Sequence, residues 1–172
     1  PTQGGPAHAI AISPGGEFLA VAAMDKINVY TLRSRALVAS LPKGANSIAF
    51  ASDGKKLYTA GSASLKEWNT QTWSETRSFE GGGGSLLLSP DGRYLATTSR
   101  DGARIREIAT WKEVRRFEGG TRAAAFSPDS KRLVTGSEAG LIVMTLDDSK
   151  PPVRLQNSTN ISARMGPWGK GG

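Results

Sequence analysis

The chain has 172 residues, of which 38% are apolar and 22% charged, and this composition is typical of one globular domain with a sizeable core. It has no cysteine and one histidine, so a disulfide framework, a thiol nucleophile, a thiolate zinc site and a multi-histidine metal centre are excluded. Lys and Arg number 22 against 15 Asp and Glu, and the resulting net charge of +7 would suit an acidic partner or a nucleic acid.

A tetrapeptide typical of tight turns recurs four times along the chain. Its copies are Ser13-Pro14-Gly15-Gly16, Ala51-Ser52-Asp53-Gly54, Ser89-Pro90-Asp91-Gly92 and Ser127-Pro128-Asp129-Ser130, spaced 38 residues apart. Apolar positions keep the same spacing. They include Ile12, Phe50, Leu88 and Phe126 just before each turn, and Leu19, Leu57, Leu95 and Leu133 after it. Several apolar columns in one register predict an internal repeat of 38 residues.

Within each repeat, hydrophobicity alternates with a period of two, and Pro or Gly interrupts it every eight to twelve residues. This pattern predicts short strands joined by turns, and no helix. In chain order we expect strands at about 8–13, 18–23, 26–32 and 36–42, then 46–51, 56–62, 65–69 and 73–79, then 84–89, 94–99, 103–108 and 111–117, then 122–127, 132–137, 141–146 and 152–155.

Four-stranded antiparallel units of this size cannot bury both faces alone, and they stack around an axis as a β-propeller. We therefore predict an all-β propeller with four blades in this chain. Its parts are a lead-in at 1–7, blades at 8–45, 46–83, 84–121 and 122–156, and a Gly-rich tail or degenerate fifth blade at 157–172. Propellers have about four to eight blades, and the first residue is Pro1 rather than Met. We expect a fragment of a longer ring, with a homodimer or a closed four-bladed ring as alternatives.

The repeats resemble the WD40-repeat family over about residues 8–155. The Ser-Pro-Asp-Gly turn carries the resemblance, together with the third unit, Leu95–Gly102, and with Trp68-Asn69 in place of the family's Trp-Asp dipeptide. The family's Gly-His pair is replaced by Lys43-Gly44, Gly83-Gly84 and Gly119-Gly120, and only His8 could stand in for it. The resemblance therefore implies that the His/Ser/Asp/Trp tetrad is incomplete in every blade. Blades held by stacking alone are expected. The resemblance also implies a protein-binding role.

Binding residues are expected where loops lead into each first strand and where second strands turn into third strands, because such loops ring the channel of a propeller. Arg100 and Arg122 could present a fork to a carboxylate there. The candidate partner-binding residues are His8, Asp25, Lys43, Asn46, Arg100, Asp101, Arg122 and Glu138, with Lys26 and Thr121 on the same loops. Ordinary polar loops without a ligand are the alternative.

Three other patterns have structural explanations. The recurring Asp53, Asp91 and Asp129 suit turn capping better than a ring of metal ligands. The glycines at 81–84 precede neither a Lys-Ser/Thr pair nor a predicted helix, so they indicate a flexible blade connection rather than a phosphate loop. His8 has no catalytic partner placed beside it by any motif.

We therefore expect a non-catalytic interaction scaffold that binds a protein or peptide, without a metal or cofactor. No apolar run approaches the roughly 20 residues of a membrane-spanning helix, so we expect a soluble protein, in the cytoplasm, with no membrane role. The alternatives are a basic propeller docking on RNA or DNA phosphates, a propeller enzyme, and a regulatory propeller segment of a larger enzyme.

Overall fold

The computed structural model describes residues 6–23, 26–42, 44–121, 123–137, 140–147 and 151–155. Over these residues the chain forms sixteen strands and no helix. The strands make four antiparallel four-stranded sheets, and within each sheet they lie side by side in chain order. The predicted all-β architecture with four propeller blades is confirmed.

Each blade contains four consecutive strands, which we number in chain order. Blade 1 has β1 (Ala7–Ile12), β2 (Phe18–Ala23), β3 (Lys26–Thr31) and β4 (Leu37–Pro42). Blade 2 has β5 (Ser47–Phe50), β6 (Lys56–Ala60), β7 (Ser64–Asn69) and β8 (Glu75–Glu80). Blade 3 has β9 (Ser85–Leu88), β10 (Tyr94–Ser99), β11 (Gly102–Glu107) and β12 (Glu113–Glu118). Blade 4 has β13 (Ala123–Phe126), β14 (Arg132–Ser137), β15 (Gly140–Thr145) and β16 (Val153–Leu155). Every strand matches a predicted one to within two residues at either end.

The recurring tetrapeptide forms the same turn in every blade. Its fourth residue has a positive φ: 68° at Gly16, 70° at Gly54, 71° at Gly92 and 57° at Ser130. In three blades the aspartate caps the turn as predicted, because its Oδ1 accepts the backbone N–H two residues further on. These bonds are 2.9 Å at Asp53, 3.0 Å at Asp91 and 3.0 Å at Asp129. Local turn chemistry therefore sets the hairpin that begins each blade.

The core lies between the blades. The first strands of successive blades contact one another in the order β1, β5, β9 and β13, which puts them innermost. Three apolar clusters fill the spaces between neighbouring sheets. Leu57, Leu95 and Leu133, which the repeat placed in one column, are fully buried, one in each cluster. Each sheet is thus covered by its neighbour rather than by a second layer of its own.

Blade 2 departs from the expectation that stacking alone holds the blades. Trp68 Nε1 donates a hydrogen bond of 3.0 Å to Thr59 Oγ1, and both side chains are buried. The Glu67 carboxylate is also buried and accepts hydrogen bonds from Lys56 Nζ at 3.0 Å and Thr76 Oγ1 at 2.7 Å. The expectation was therefore wrong for this blade, because a polar network that the tetrad rule does not include ties its strands together.

Candidate functional site

The predicted binding residues fall on one edge of the blades, where first strands begin and second strands turn into third strands. We call this edge the loop face, and the edge with the recurring tetrapeptides the turn face. Asn46, Arg100 and Asp101 are exposed on the loop face, and Arg100 and Asp101 form the turn between β10 and β11. Asp25, Lys43, Arg122 and Glu138 lie outside the described residues.

His8 is exposed but lies within β1, not in a loop before it, at an irregularity in the pairing of β1 with β2. The described candidates come from three different blades. No ion pair or side-chain hydrogen bond joins any two of them in the part of the chain that the structure describes. The described candidates therefore do not form one cluster around a ligand.

A small recess opens on the loop face between blades 2 and 3, with a volume of about 20 Å³. Asp101 is the one predicted candidate that lines it, alongside Arg104, Arg116 and the glycines Gly81 and Gly83. This volume holds about one water-sized group. The recess therefore suits the tip of a polar side chain rather than a whole small molecule, and we call it the arginine recess.

Arg104 of β11 and Arg116 of β12 stand directly opposite each other in the antiparallel pair. Directly opposed residues share one side of a sheet, and like charges in that arrangement destabilise it. The corresponding pairs in the other blades are Asn28–Ser40, Lys66–Ser78 and Ile142–Arg154. Asn28 and Ser40 even form a hydrogen bond of 2.8 Å. Blade 3 alone among the four carries two like charges at this position.

The two opposed guanidinium groups are only weakly neutralised. Arg116 Nη2 lies 3.7 Å from an oxygen of Glu118, but Glu118 is 81% exposed and such surface pairs contribute little. Within the described residues Arg104 makes no ion pair. Asp101, at the rim, has its carboxylate exposed to solvent. The recess is therefore a site of positive potential that an added carboxylate would neutralise.

A third guanidinium group, that of Arg106, adds positive charge two residues along β11 from Arg104. Arg106 follows Arg104 on the same side of β11, is buried, and has one nitrogen 3.6 Å from Glu113 Oε2. Burial lowers the pKa of Arg106, and the positive charge of Arg104 lowers it further against the opposing effect of Glu113. Its Nη1 finds no acceptor among the described residues. Glu113 therefore compensates the charge of Arg106 only in part, and one of its nitrogens keeps an unused donor.

The glycine-rich connection between blades 2 and 3 forms one wall of the recess. Gly83 has a φ of 97°, and a Cβ there would lie 2.6 Å from the carbonyl oxygen of Thr98. A Cβ on Gly82 would lie 2.0 Å from the carbonyl oxygen of Ser64. The run is a blade connection, as predicted, but its glycines are required by close backbone packing rather than by flexibility.

A larger cavity, about 330 Å³, lies between the same two blades on the turn face. Phe50, Tyr58 and Leu88 give it an apolar lining, and Lys56 and Asp53 are its charged residues. Lys56 is already paired with Glu67 at 3.0 Å, and Asp53 caps its own turn. Since both charges are used internally, this cavity offers no free charged group to a ligand, unlike the arginine recess.

Arg104 and Arg116 were not among the predicted site residues. The prediction relied on loop residues, whereas these two lie inside strands. Their opposition depends on the register of β11 against β12, which shifts between Ile105 and Arg106. A signal was present in the sequence, since aligning the repeats shows that both positions are arginine only in the third unit.

A family model, the WD domain, G-beta repeat, matches the chain at residues 74–103 and 111–144. Two stretches of the chain therefore match the WD40 repeat, one across blades 2 and 3 and one across blades 3 and 4. Each matched stretch begins next to the outermost strand of one blade and ends in the third strand of the following blade. One matched sequence unit therefore contains strands of two neighbouring blades and links these blades along the chain.

Among solved structures, hydrazine synthase from Kuenenia stuttgartiensis is similar to this chain. The TM-score is 0.68 and the sequence identity 20%, and the match covers 83% of this chain and 46% of that chain. The chain thus spans less than half the length of that structure. At this identity the similarity shows the fold alone. A search of the curated proteins finds no match.

The described residues contain neither a metal-binding cluster nor a membrane-spanning helix. No group of three or more His, Cys, Asp or Glu side chains is placed to hold a metal ion. No helix there is long and apolar enough to cross a membrane. Among the described residues, the arginine recess is the place where two like-charged side chains face each other beside a cavity.

Proposed function

We propose that this chain is a non-catalytic interaction scaffold that binds a protein or peptide through its loop face. In this proposal an acidic side chain of the partner enters the arginine recess and is held between Arg104 and Arg116. The observation that carries the proposal is the direct opposition of two arginines at a position where the other three blades have no such pair.

A carboxylate is the chemical group that this arrangement favours. Guanidinium groups hold carboxylates through charge-assisted and often bidentate hydrogen bonds. Such bonds contribute roughly 1.5–3 kcal/mol each, which corresponds to about 10- to 100-fold in affinity. A carboxylate between Arg104 and Arg116 would also relieve the repulsion between them. Binding would therefore gain from the new bonds and from removal of an unfavourable contact.

A protein partner suits the recess better than a nucleic acid because of the residues that surround the two arginines. Single-stranded nucleic-acid sites interleave basic groups with aromatic rings on which bases stack. The residues lining the recess are mostly glycines and short polar side chains, and Phe117 is the one aromatic residue among them. A recess of about 20 Å³ also fits a carboxylate tip better than a phosphate with its attached sugars.

The test uses synthetic peptides, because no partner is identified. Fluorescein-labelled random dodecamers carrying one central Glu are compared with a matched set carrying Gln, and binding is measured by fluorescence anisotropy. We expect the wild-type chain to prefer the Glu set by about tenfold. The double variant Arg104→Gln/Arg116→Gln should bind both sets equally, since the group that recognises the carboxylate is gone.

The control is the double variant Arg33→Gln/Arg154→Gln, which removes the same total charge at exposed positions away from the recess. It should keep the preference for Glu. Loss of that preference in both double variants would indicate a general charge effect and would refute a specific site. Tight binding of a dT20 oligonucleotide, falling steeply with salt while peptides bind weakly, would favour the nucleic-acid alternative.

A further inference from the structure

The cavity of about 330 Å³ between blades 2 and 3, which we call the turn-face cavity, has the size of a small-molecule site. Ligand pockets in proteins measure about 300–1,000 Å³. A dry apolar cavity of about 150 Å³ holds one benzene ring, so the turn-face cavity has room for two fused rings. It lies at the opposite edge of the blades from the arginine recess.

Blade 2 lacks an aromatic side chain that blades 1 and 3 have at the start of the second strand. The corresponding residues of the three blades are Phe18, Lys56 and Tyr94. Phe18 packs against the cluster between blades 1 and 2 and meets Trp73 edge-on at 5.1 Å. Tyr94 packs against the cluster between blades 3 and 4. A ring of the protein therefore fills this position at two interfaces, whereas Lys56 lines a cavity at the third.

A second substitution accompanies the lysine. Glu67 stands where blades 1 and 3 have Val29 and Ile105, which are fully buried, and it is itself only 2% exposed. Its carboxylate accepts a hydrogen bond of 3.0 Å from Lys56 Nζ, so the ammonium is held against its own blade. Exchange of an aromatic and an aliphatic residue for this ion pair therefore leaves open space between blades 2 and 3, with an ammonium group fixed at its wall.

The one aromatic ring that blade 2 does send toward blade 3 from its second strand lies further from the turn. Tyr58 is two residues beyond Lys56 along β6, where blades 1 and 3 have Ala20 and Ala96. It is fully buried and meets Trp111 of blade 3 edge-on. The Tyr58 ring therefore fills the inner part of the interface and leaves the part nearest the turns open.

The lining of the turn-face cavity favours an uncharged, apolar ligand. Phe50, Leu88 and Ile108 supply apolar walls, and the last two are only half-buried. The charged lining residues, Lys56 and Asp53, are both engaged within blade 2. A charged ligand would lose its hydration without gaining a free counter-charge, which is costly. An uncharged ring system loses little hydration and gains the apolar contacts.

The ammonium at the wall favours an aromatic ring over a saturated one, because cations attract the face of a π-system. A lysine that is paired with a carboxylate can still make this contact. In the same blade, Lys66 Nζ lies 2.7 Å from Glu75 Oε2 and 5.6 Å from the centroid of the Trp68 ring. Lys56, held by Glu67 in the same way, is placed to make such a contact with a ring in the cavity.

We propose that the turn-face cavity binds a small uncharged aromatic compound of about two fused rings. The compound takes the position that a ring of the protein fills at the other two interfaces, with one face toward the Lys56 ammonium. This site is separate from the arginine recess, and its occupation does not depend on the proposed protein-binding function.

The first experiment compares 2-naphthol with decahydro-2-naphthol, which has the same carbon skeleton and hydroxyl group but no aromatic ring. Binding is measured by ligand-observed NMR titration. We expect 2-naphthol to bind saturably with a dissociation constant of about 1 mM or below. The saturated compound should bind about three- to tenfold more weakly, because it lacks the contact with the ammonium and the aromatic contact with Phe50.

The second experiment fills the cavity with the protein's own side chains. The variant Lys56→Tyr/Glu67→Ile gives blade 2 the pair that blade 3 has at these positions, and it should weaken 2-naphthol binding at least about tenfold because the ring's space is occupied. The variant Leu88→Trp fills the cavity from blade 3 and should have the same effect. Circular dichroism shows whether each variant is folded.

The matched control is Lys66→Tyr/Glu75→Ile, which introduces the same two side chains in place of another Lys–Glu pair of blade 2 that does not line the cavity. It should bind 2-naphthol like the wild-type chain. So should Arg104→Gln/Arg116→Gln, which removes the arginine recess. The outcome for the turn-face cavity is therefore distinguishable from the outcome for the proposed function.

Four results would overturn the proposal. They are equal binding of 2-naphthol and its saturated counterpart, binding that both folded cavity-filling variants retain, loss of binding in Arg104→Gln/Arg116→Gln, and binding of a peptide with one central tryptophan when free 2-naphthol does not bind. The last result would show that the cavity receives a side chain of a partner rather than a free compound.

Discussion

Trp111 is the residue whose removal should most clearly show that neighbouring blades stabilise each other. It lies in the loop between β11 and β12, is 6% exposed, and packs between two aromatic rings. Its ring stacks on Phe79 of blade 2, with centroids 4.6 Å apart and planes 19° apart. It also meets Tyr58 of blade 2 edge-on at 5.8 Å. The side chain therefore belongs to blade 3 but makes both of its ring contacts with blade 2.

The expected cost of Trp111→Ala follows from these contacts. Truncating a buried tryptophan to alanine typically costs about 3–5 kcal/mol, because apolar contacts are lost and a cavity remains. Aromatic pairs add roughly 0.5–1.5 kcal/mol each beyond burial. Since the measured truncation costs already include such ring contacts, the two pairs place Trp111→Ala in the upper part of that range, at about 4–5 kcal/mol, a large part of the stability of a typical domain.

Trp73 supplies the matched control, since it occupies the corresponding position in blade 2. It has the same backbone conformation, with a φ of 54° against 60° at Trp111, and its N–H makes the same turn hydrogen bond. Its side chain is only partly buried and meets one ring, Phe18, edge-on at 5.1 Å. Trp73→Ala should therefore cost about 2 kcal/mol, since the cavity it leaves is partly open to solvent.

The assay is urea unfolding followed by far-UV circular dichroism, which does not depend on the tryptophan signal that the substitutions remove. The midpoint should fall further for Trp111→Ala than for Trp73→Ala, at a similar dependence on urea. Equal losses, or a loss below about 1 kcal/mol for Trp111→Ala, would refute the argument that packing between blades carries the stability of the array.

Three further outcomes are expected from single positions. Thr59→Val should cost about 1–3 kcal/mol in urea unfolding, because it leaves the buried Trp68 Nε1 without an acceptor; an unchanged midpoint would contradict this. Gly83→Ala should cost about 2 kcal/mol or more because its Cβ would strike the Thr98 carbonyl, whereas Gly15→Ala, with open space around it, should be nearly neutral. The Ser127 hydroxyl and the backbone N–H of Lys131 lower the pKa of the Asp129 carboxyl. The stabilisation from this carboxylate is therefore present at neutral pH and is lost as pH falls below about 4 through its native pKa, and Asp129→Asn should reduce that acid sensitivity in thermal melts between pH 2 and 7.

The strands and hairpins could be predicted from the sequence because their causes are local. A proline at the second turn position and a glycine at the fourth, followed by alternating apolar residues, determine a hairpin without reference to the rest of the chain. Ser130 shows the strength of this pattern, since it adopts the positive φ that glycine supplies in the other three turns. Repetition of the hairpin at a fixed interval was then enough to identify the propeller.

The polar interactions could not be predicted in the same way, because they depend on which strands face each other and how far they are shifted. The bond from Trp68 to Thr59 joins two strands of one blade, and it was missed because an incomplete tetrad was expected to leave the blade held by stacking alone. The opposition of Arg104 and Arg116 depends on the shifted pairing of β11 and β12. His8 was predicted as the first residue of a strand and also as part of the loop leading into it, and the structure bears out the strand, because β1 begins at Ala7.

Positions that keep the repeat and positions that break it have different roles in this chain. Columns that stay apolar in every unit, such as that of Leu95, are the ones buried between blades, so selection for packing keeps them alike. The column of Arg104 varies from amide to ammonium to guanidinium to alkyl side chain, as Asn28, Lys66, Arg104 and Ile142 show. Asn28, Lys66 and Arg104 are half-buried, so packing leaves room for polar side chains there, whereas Ile142 is buried in the core of blade 4. A pair of like charges at such a position has a cost in stability, and this cost is the physical reason for proposing an acidic partner there.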